Sequence, residues 1–139
     1  MSDPWNLHFF QRHADDDRHQ SVPARDFLDG LPDKVVAEIL AVLDALAEAP
    51  PPAFSGGGKW EAMHGEMSGF YEVRVRGAGM NHRLFCILER HADDIRAAIG
   101  ASSSDGPGLR ASLAYLGDEL TKRKWGPAHI AFADRDDAL

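Results

Sequence analysis

The chain opens on an aromatic-rich run, Trp5-Asn6-Leu7-His8-Phe9-Phe10, bounded by polar residues, and this pattern predicts a first β-strand. The charged segment from Arg12 to His19 reads as a solvated loop. Ser21 can cap a short helix that has Pro23 in its first turn and ends at Gly30. A second helix is predicted from Pro32-Asp33 to about Ala49, because Val36, Ile39, Leu40, Leu43, Leu46 and Ala47 recur every three or four positions. Pro50-Pro51-Pro52 stops that helix, and Ser55-Gly56-Gly57-Gly58 makes a flexible connection. Two short helices around a tight turn present one apolar face, which needs a surface to cover it.

The middle of the chain supplies that surface. Trp60 to His64 is a short strand candidate, followed by the turn-prone Gly65-Glu66-Met67-Ser68-Gly69. From Phe70 to Arg76 the chain alternates with period two: Tyr71, Val73 and Val75 point one way, Glu72, Arg74 and Arg76 the other. Gly77-Ala78-Gly79 is a hairpin loop, and Asn81 to Leu88 returns as a strand whose apolar second half marks it as central. Asp93 to Ile99 reads as one or two helical turns, and Ser102 to Gly108 as a loop. Leu109, Leu113, Leu116 and Leu120 lie at helical spacing up to Lys124, although a strand from Leu109 to Leu116 would also bury Leu109, Ala111, Leu113 and Tyr115. The tail from Phe132 to Asp137 is polar and expected to fray.

The 139 residues suit one domain spanning 1–139, and 44% hydrophobic with 27% charged is the balance of a soluble globular chain. The single cysteine, Cys86, excludes an intrachain disulfide framework and a Cys-rich zinc site. The start, Met1-Ser2-Asp3-Pro4-Trp5, lacks the basic and apolar regions of a signal peptide, and no apolar run is long enough for a membrane helix. A cytoplasmic protein without a membrane partner is expected. The net charge of −7 is uneven: residues 1–50 carry −6, residues 51–90 carry +1, and residues 91–139 carry −2 but include the basic cluster Lys122-Arg123-Lys124. Contact with nucleic acid would therefore use a local basic face and not a global field.

The alternating strand puts Arg74 and Arg76 on one face, with Arg83 or His82 opposite them depending on register. Guanidinium groups of this kind can hold a phosphodiester and offset the added charge of its transition state. His82 or Lys59 could move the proton that attack by an RNA 2′-hydroxyl requires. The plainer reading is an ordinary wet sheet face in which Glu72 pairs with Arg74 or Arg76. Other candidates are weaker. Arg-His-Ala-Asp-Asp occurs at 12–16 and again at 90–94 without metal-ligand spacing. Cys86 sits in an apolar run and reads as a core thiol. Gly56-Gly57-Gly58-Lys59 lacks the spacing of a phosphate loop.

Taken in order, these features resemble the RelE/ParE toxin superfamily, and within it the HigB-like, phage-derived branch. The resemblance rests on Lys59-Trp60-Glu61-Ala62-Met63-His64, Phe70-Tyr71-Glu72-Val73-Arg74-Val75 and Asn81-His82-Arg83-Leu84-Phe85-Cys86-Ile87-Leu88, and it covers roughly residues 5–90. It implies an α+β fold, with an N-terminal strand and a helical hairpin packed on a small curved antiparallel sheet. It also implies a type II toxin, neutralised by a cognate antitoxin of helix-turn-helix type, that cleaves messenger RNA on the ribosome without metal or cofactor. By residue, Arg74 and Arg83 match family arginines and His82 is the proton-transfer candidate. Lys59, Arg76, Lys122, Arg123 and Lys124 are the RNA-binding candidates, with Lys122-Arg123-Lys124 resembling a Lys-Lys after the last strand and Gly126-Pro127 the Thr-Pro beyond it. The acidic charge and the long stretch between Leu88 and Leu109, where the family makes a tight hairpin, depart from its pattern. The alternative is a non-enzymatic relative, either a gyrase-directed toxin or an inactive antitoxin-binding protein. On this resemblance, alanine at Arg83 should abolish growth inhibition without unfolding the protein.

Overall fold

Phe9 and Phe10 are neighbours on one strand, so their side chains point to opposite faces, and both are buried. A strand buried on both faces lies inside its sheet. In a computed structural model, which describes residues 4–12, 14–15, 17–49, 59–62, 70–89, 93–104 and, as backbone, 125–131, that strand is β1 (Asn6–Arg12). The elements that follow are α1 (Pro23–Asp29), α2 (Asp33–Glu48), β2 (Trp60–Ala62), β3 (Phe70–Gly77), β4 (Met80–Glu89), β5 (Asp94–Ser103) and β6 (Trp125–Ala131). The described strands form a six-stranded sheet in the order β2-β3-β4-β5-β1-β6.

The expected α+β architecture stands, with both helices on one face of the sheet. The sheet is mixed, not antiparallel throughout, because β1 runs parallel to β5 while its other edge pairs antiparallel with β6. The segment 94–99, expected to be helical, is the first part of β5. Its alanines carry good helix propensity, but pairing with β4 on one side and β1 on the other satisfies the backbone twice over and overrides it. Ser102 and Ser103 likewise belong to β5 and not to a loop. Strand β5 follows β4 in the chain and pairs antiparallel with it, Glu89 opposite Asp94, so the stretch after Leu88 carries a further strand of the sheet.

Helix α2 follows its apolar period with its buried stripe shifted at two places. The buried positions are Val35, Ile39, Val42, Leu43, Leu46 and Ala47, while Val36 and Leu40 are half-buried. Val35 leads because the first turn of α2 crosses Gly77, where a Cβ would stand 2.8 Å from Val35 Cγ2. Helix α1 has Pro23 at its start, but Ser21 does not cap it; the Ser21 hydroxyl donates to Asp17 Oδ2 at 2.6 Å instead. On the sheet, Trp60, Val73, Val75, Leu84, Cys86, Ile95, Ala97, Leu7 and Phe9 meet the helices in one core. A smaller cluster of Phe10, Phe85, Ala98 and Ile99 occupies the other face.

Strands β3 and β4 are joined by a two-residue turn in which Ala78 and Gly79 both have positive φ, 54° and 76°. That is the geometry of a hairpin turn matched to the right-handed twist of its strands. Between Phe85 and Cys86 the β4–β5 register slips by one, leaving Ala98 as the extra residue of a bulge. The segments 63–69, 105–124 and 132–139 lie outside the described residues, and with them the expectations for Met63-His64, for the helix or strand over 109–124, for Lys122-Arg123-Lys124 and for the tail. Gly126-Pro127 falls within β6, not after the last strand.

Candidate functional site

Register decides which residues meet. Across β3 and β4, Arg74 stands opposite Arg83 and Arg76 opposite Asn81, while His82 stands opposite Val75. Directly opposed residues share a face. Glu72, Arg74, Arg76, Asn81 and Arg83 therefore lie together on the face away from the helices, and His82 lies on the helix side with Val75. Of the two residues that could have faced the arginines, it is Arg83 that does.

Two opposed arginines repel, and Glu72 resolves the conflict. Arg83 Nη1 donates to both Glu72 oxygens at 2.8 Å, and Arg74 Nε lies 3.3 Å from Glu72 Oε1. The Arg74 contact is close enough for attraction but too poorly aligned for a hydrogen bond. Arg74 Nη2 donates to Glu61 Oε2 from the neighbouring strand β2. Glu72 and Arg83 are largely removed from solvent, where a carboxylate between two guanidiniums is held far more firmly than a surface pair. Arg83 Nε is buried and without a hydrogen-bond partner among the described residues.

Around this network is a cleft of about 400 Å³ lined by Glu38, Lys59, Arg74, Arg76, Asn81 and Arg83. Lys59 Nζ reaches Glu38 Oε1 of α2 at 2.8 Å, and Arg76 Nη1 donates to Asn81 Oδ1 at 3.3 Å. Strand β2 is held in place by Trp60, whose ring stacks on Tyr71 at 5.1 Å with an interplanar angle of 8°. That stacking sets Lys59 at the cleft and Glu61 within reach of Arg74. Four expected site residues, Lys59, Arg74, Arg76 and Arg83, thus come together.

His82 does not join them. Its Nε2 is 2.9 Å from the Gly77 carbonyl oxygen and its Nδ1 is 2.6 Å from Ser102 Oγ. A carbonyl only accepts, so Nε2 carries the proton and the Ser102 hydroxyl donates to Nδ1. The ring is 2% exposed, has both nitrogens engaged and sits on the wrong face for the arginines. Its geometry is that of a tie between the β3–β4 turn and β5, on the sheet face opposite the arginines beside which a proton-transfer group was expected.

Sequence reasoning missed two residues that line the cleft and one beside it. Glu38 comes from the polar side of α2 and Asn81 from the start of β4, while Glu61, from the short edge strand, pairs with Arg74 next to the cleft. Alternation along 60–62 could have flagged Glu61; nothing local marks Glu38. A second polar cluster was also missed, in which Asp94 Oδ1 lies 3.5 Å from His8 Nε2 and Asp94 Oδ2 accepts from Arg96 Nη2 at 3.1 Å. It depends on the parallel pairing of β1 with β5. Among the described residues no group of three His, Cys, Asp or Glu is placed to hold a metal ion, and no helix is long and apolar enough to cross a membrane. Cys86 is fully buried, and burial pushes its thiol pKa well up, as expected of a core thiol.

No known protein-family profile matches the chain, and no curated protein matches its sequence. A chain of the RelBE2 toxin–antitoxin complex from Mycobacterium tuberculosis is similar in structure, with a TM-score of 0.50 and 16% identity over 76% of this chain and 98% of that one. At that identity the likeness is one of fold: two helices packed on a mixed sheet. The chain has the α+β fold of a component of that toxin–antitoxin complex.

Proposed function

We propose that the protein is the toxin of a type II toxin–antitoxin system and acts as a ribosome-dependent messenger RNA endoribonuclease that needs no metal. The observation that carries this reading is the cleft, where Arg74 and Arg83 oppose each other beside Arg76 and Lys59 on a fold shared with a toxin–antitoxin protein. The arginines hold the RNA phosphate and offset charge in the transition state, and Lys59 is the proton-bearing side chain left at the cleft. Lys122, Arg123 and Lys124 are assigned to RNA contact, and the HigB-like branch is assigned, on the sequence motifs alone. The partner is a small antitoxin of helix-turn-helix type.

A second reading has its own support. Lys59, Arg74 and Arg83 each already face a carboxylate, which suits a relative that has kept the fold and binds its antitoxin without cutting RNA. Induced expression in a bacterial host, with primer extension on abundant transcripts, separates the two. Growth arrest with new ends inside translated frames supports the endoribonuclease. Arrest without cleavage redirects attention to gyrase or another target, and no arrest from a folded protein supports the inactive relative.

A further inference from the structure

Three of the four cations that line the cleft, Lys59, Arg74 and Arg83, pair with carboxylates, Glu38 on its wall and Glu61 and Glu72 beside it, and these carboxylates differ in one decisive property. The Glu72 side chain is 5% exposed, whereas Glu38 is 40% and Glu61 50% exposed. Exposed ion pairs contribute little net stability, so Glu38 and Glu61 can release Lys59 and Arg74 at small cost. Glu72 cannot leave without stranding Arg83 in a buried place. Strand β2 is pinned by the Trp60–Tyr71 stack, so Glu61 can rotate away while its backbone stays in register.

We propose that Glu72 is a positioning residue that holds Arg83 ready for a phosphate, and that Glu61 and Glu38 occupy, in the free protein, the places taken by phosphates of a bound single-stranded RNA. This rests on the reading of the cleft as an RNA site and adds how the site is kept neutral when empty. Arg74 and Arg76 are two positions apart on one strand, about 7 Å along it. A row of cations repeated in this way tracks an extended phosphate backbone better than a compact anion. Self-neutralisation also explains how an acidic chain of net charge −7 can keep a cationic groove without collecting stray polyanions.

The test is fluorescence anisotropy of the full chain with a fluorescein-labelled 2′-O-methyl RNA dodecamer, which cannot be cut by 2′-hydroxyl attack. Glu61→Gln and Glu38→Gln should each tighten binding about twofold to fivefold, by removing a competitor. Glu72→Gln should weaken it about tenfold and lower the slope of log affinity against log salt by about 0.7, the loss of one phosphate contact. Glu72→Asp, which keeps the charge but shortens the reach, should also weaken binding. Should both Glu72 variants fail to fold by circular dichroism, Arg83→Lys keeps the charge, loses the fork and should weaken binding, measured below the melting temperature of the variant. Tightening by Glu72→Gln, or by Arg83→Lys, overturns the positioning role. No effect of Glu61→Gln and Glu38→Gln overturns displacement. Absence of binding by the wild type, or tighter binding of a poly-glutamate dodecamer than of the RNA, overturns the whole proposal. A protein that shows the expected pattern but is harmless when expressed keeps this inference and loses the toxin reading; one that arrests growth without binding does the reverse.

Discussion

Gly100 of β5 leaves the space that the ring of Phe27 fills: a Cβ at position 100 would stand 2.3 Å from Phe27 Cδ2 and 2.6 Å from its Cγ. The packing of α1 against β5 at this point depends on a missing side chain. Gly100→Ala should destabilise the fold by about 1–3 kcal/mol, since the ring cannot retreat without moving the helix. Urea unfolding measures it. Combining it with Phe27→Leu should recover part of the loss, and an undisturbed Gly100→Ala would mean that the ring rotates away freely.

Asp17 organises the turn between β1 and α1. Its Oδ2 accepts from the Ser21 hydroxyl at 2.6 Å and the Ser21 amide at 3.1 Å, and its Oδ1 accepts from the His19 amide at 3.0 Å. These bonds, the hydroxyl first, lower its pKa from 3.8 to about 2. A depressed folded pKa means the contribution is fully present above pH 3.8 and is lost as pH falls through about 2. Ser21→Ala should move the Asp17 titration upward toward 3.8, read by carboxyl chemical shifts. An unmoved titration would assign the effect to the backbone amides.

The pairing of Arg83 with Glu72 changes what an alanine at Arg83 does. The sequence alone suggested a silent effect on folding, but removing Arg83 leaves a buried carboxylate with only the poorly aligned Arg74. Arg83→Ala should cost about 1–3 kcal/mol of stability. Adding Glu72→Leu to Arg83→Met should restore most of it, so a double-mutant cycle in urea will be strongly non-additive. Additive losses would show that the pair is not coupled. Growth-arrest assays on Arg83 variants should therefore be run well below their melting temperatures.

His82 offers the opposite case. His82→Ala removes a buried ring and leaves the half-buried Gly77 carbonyl and Ser102 hydroxyl without it, and should cost about 1–3 kcal/mol. Any loss of growth arrest should follow the loss of folded protein and return at lower temperature. A variant that melts like the wild type yet causes no arrest would restore a chemical role for this residue.

Much of the architecture was legible because its signals are local. The alternation from Phe70 to Arg76 and the three-to-four period of α2 reflect which side chains can share a face along one strand or one turn of helix. The resemblance added the order of elements. Residues 94–103 were misread because alanines and two charged positions, Asp94 and Arg96, carry no strong period, and only two pairing partners make them a strand. Ser21 was misread because Asp17, four residues earlier, offers its hydroxyl a better acceptor than the helix amides do.

The chain by itself determined that Glu72, Arg74 and Arg76 would share a face, and that a helical hairpin would need a sheet beneath it. Only the tertiary structure decided that Arg83 joins them while His82 is turned into the helix side. One residue of register separates these outcomes, and in a strand one residue is the difference between opposite faces. It also decided that Glu72 pairs with Arg83, that Glu38 reaches Lys59 from a distant helix, and that β1 runs beside β5. Each of these depends on segments far apart in sequence meeting across the sheet, which no local pattern encodes.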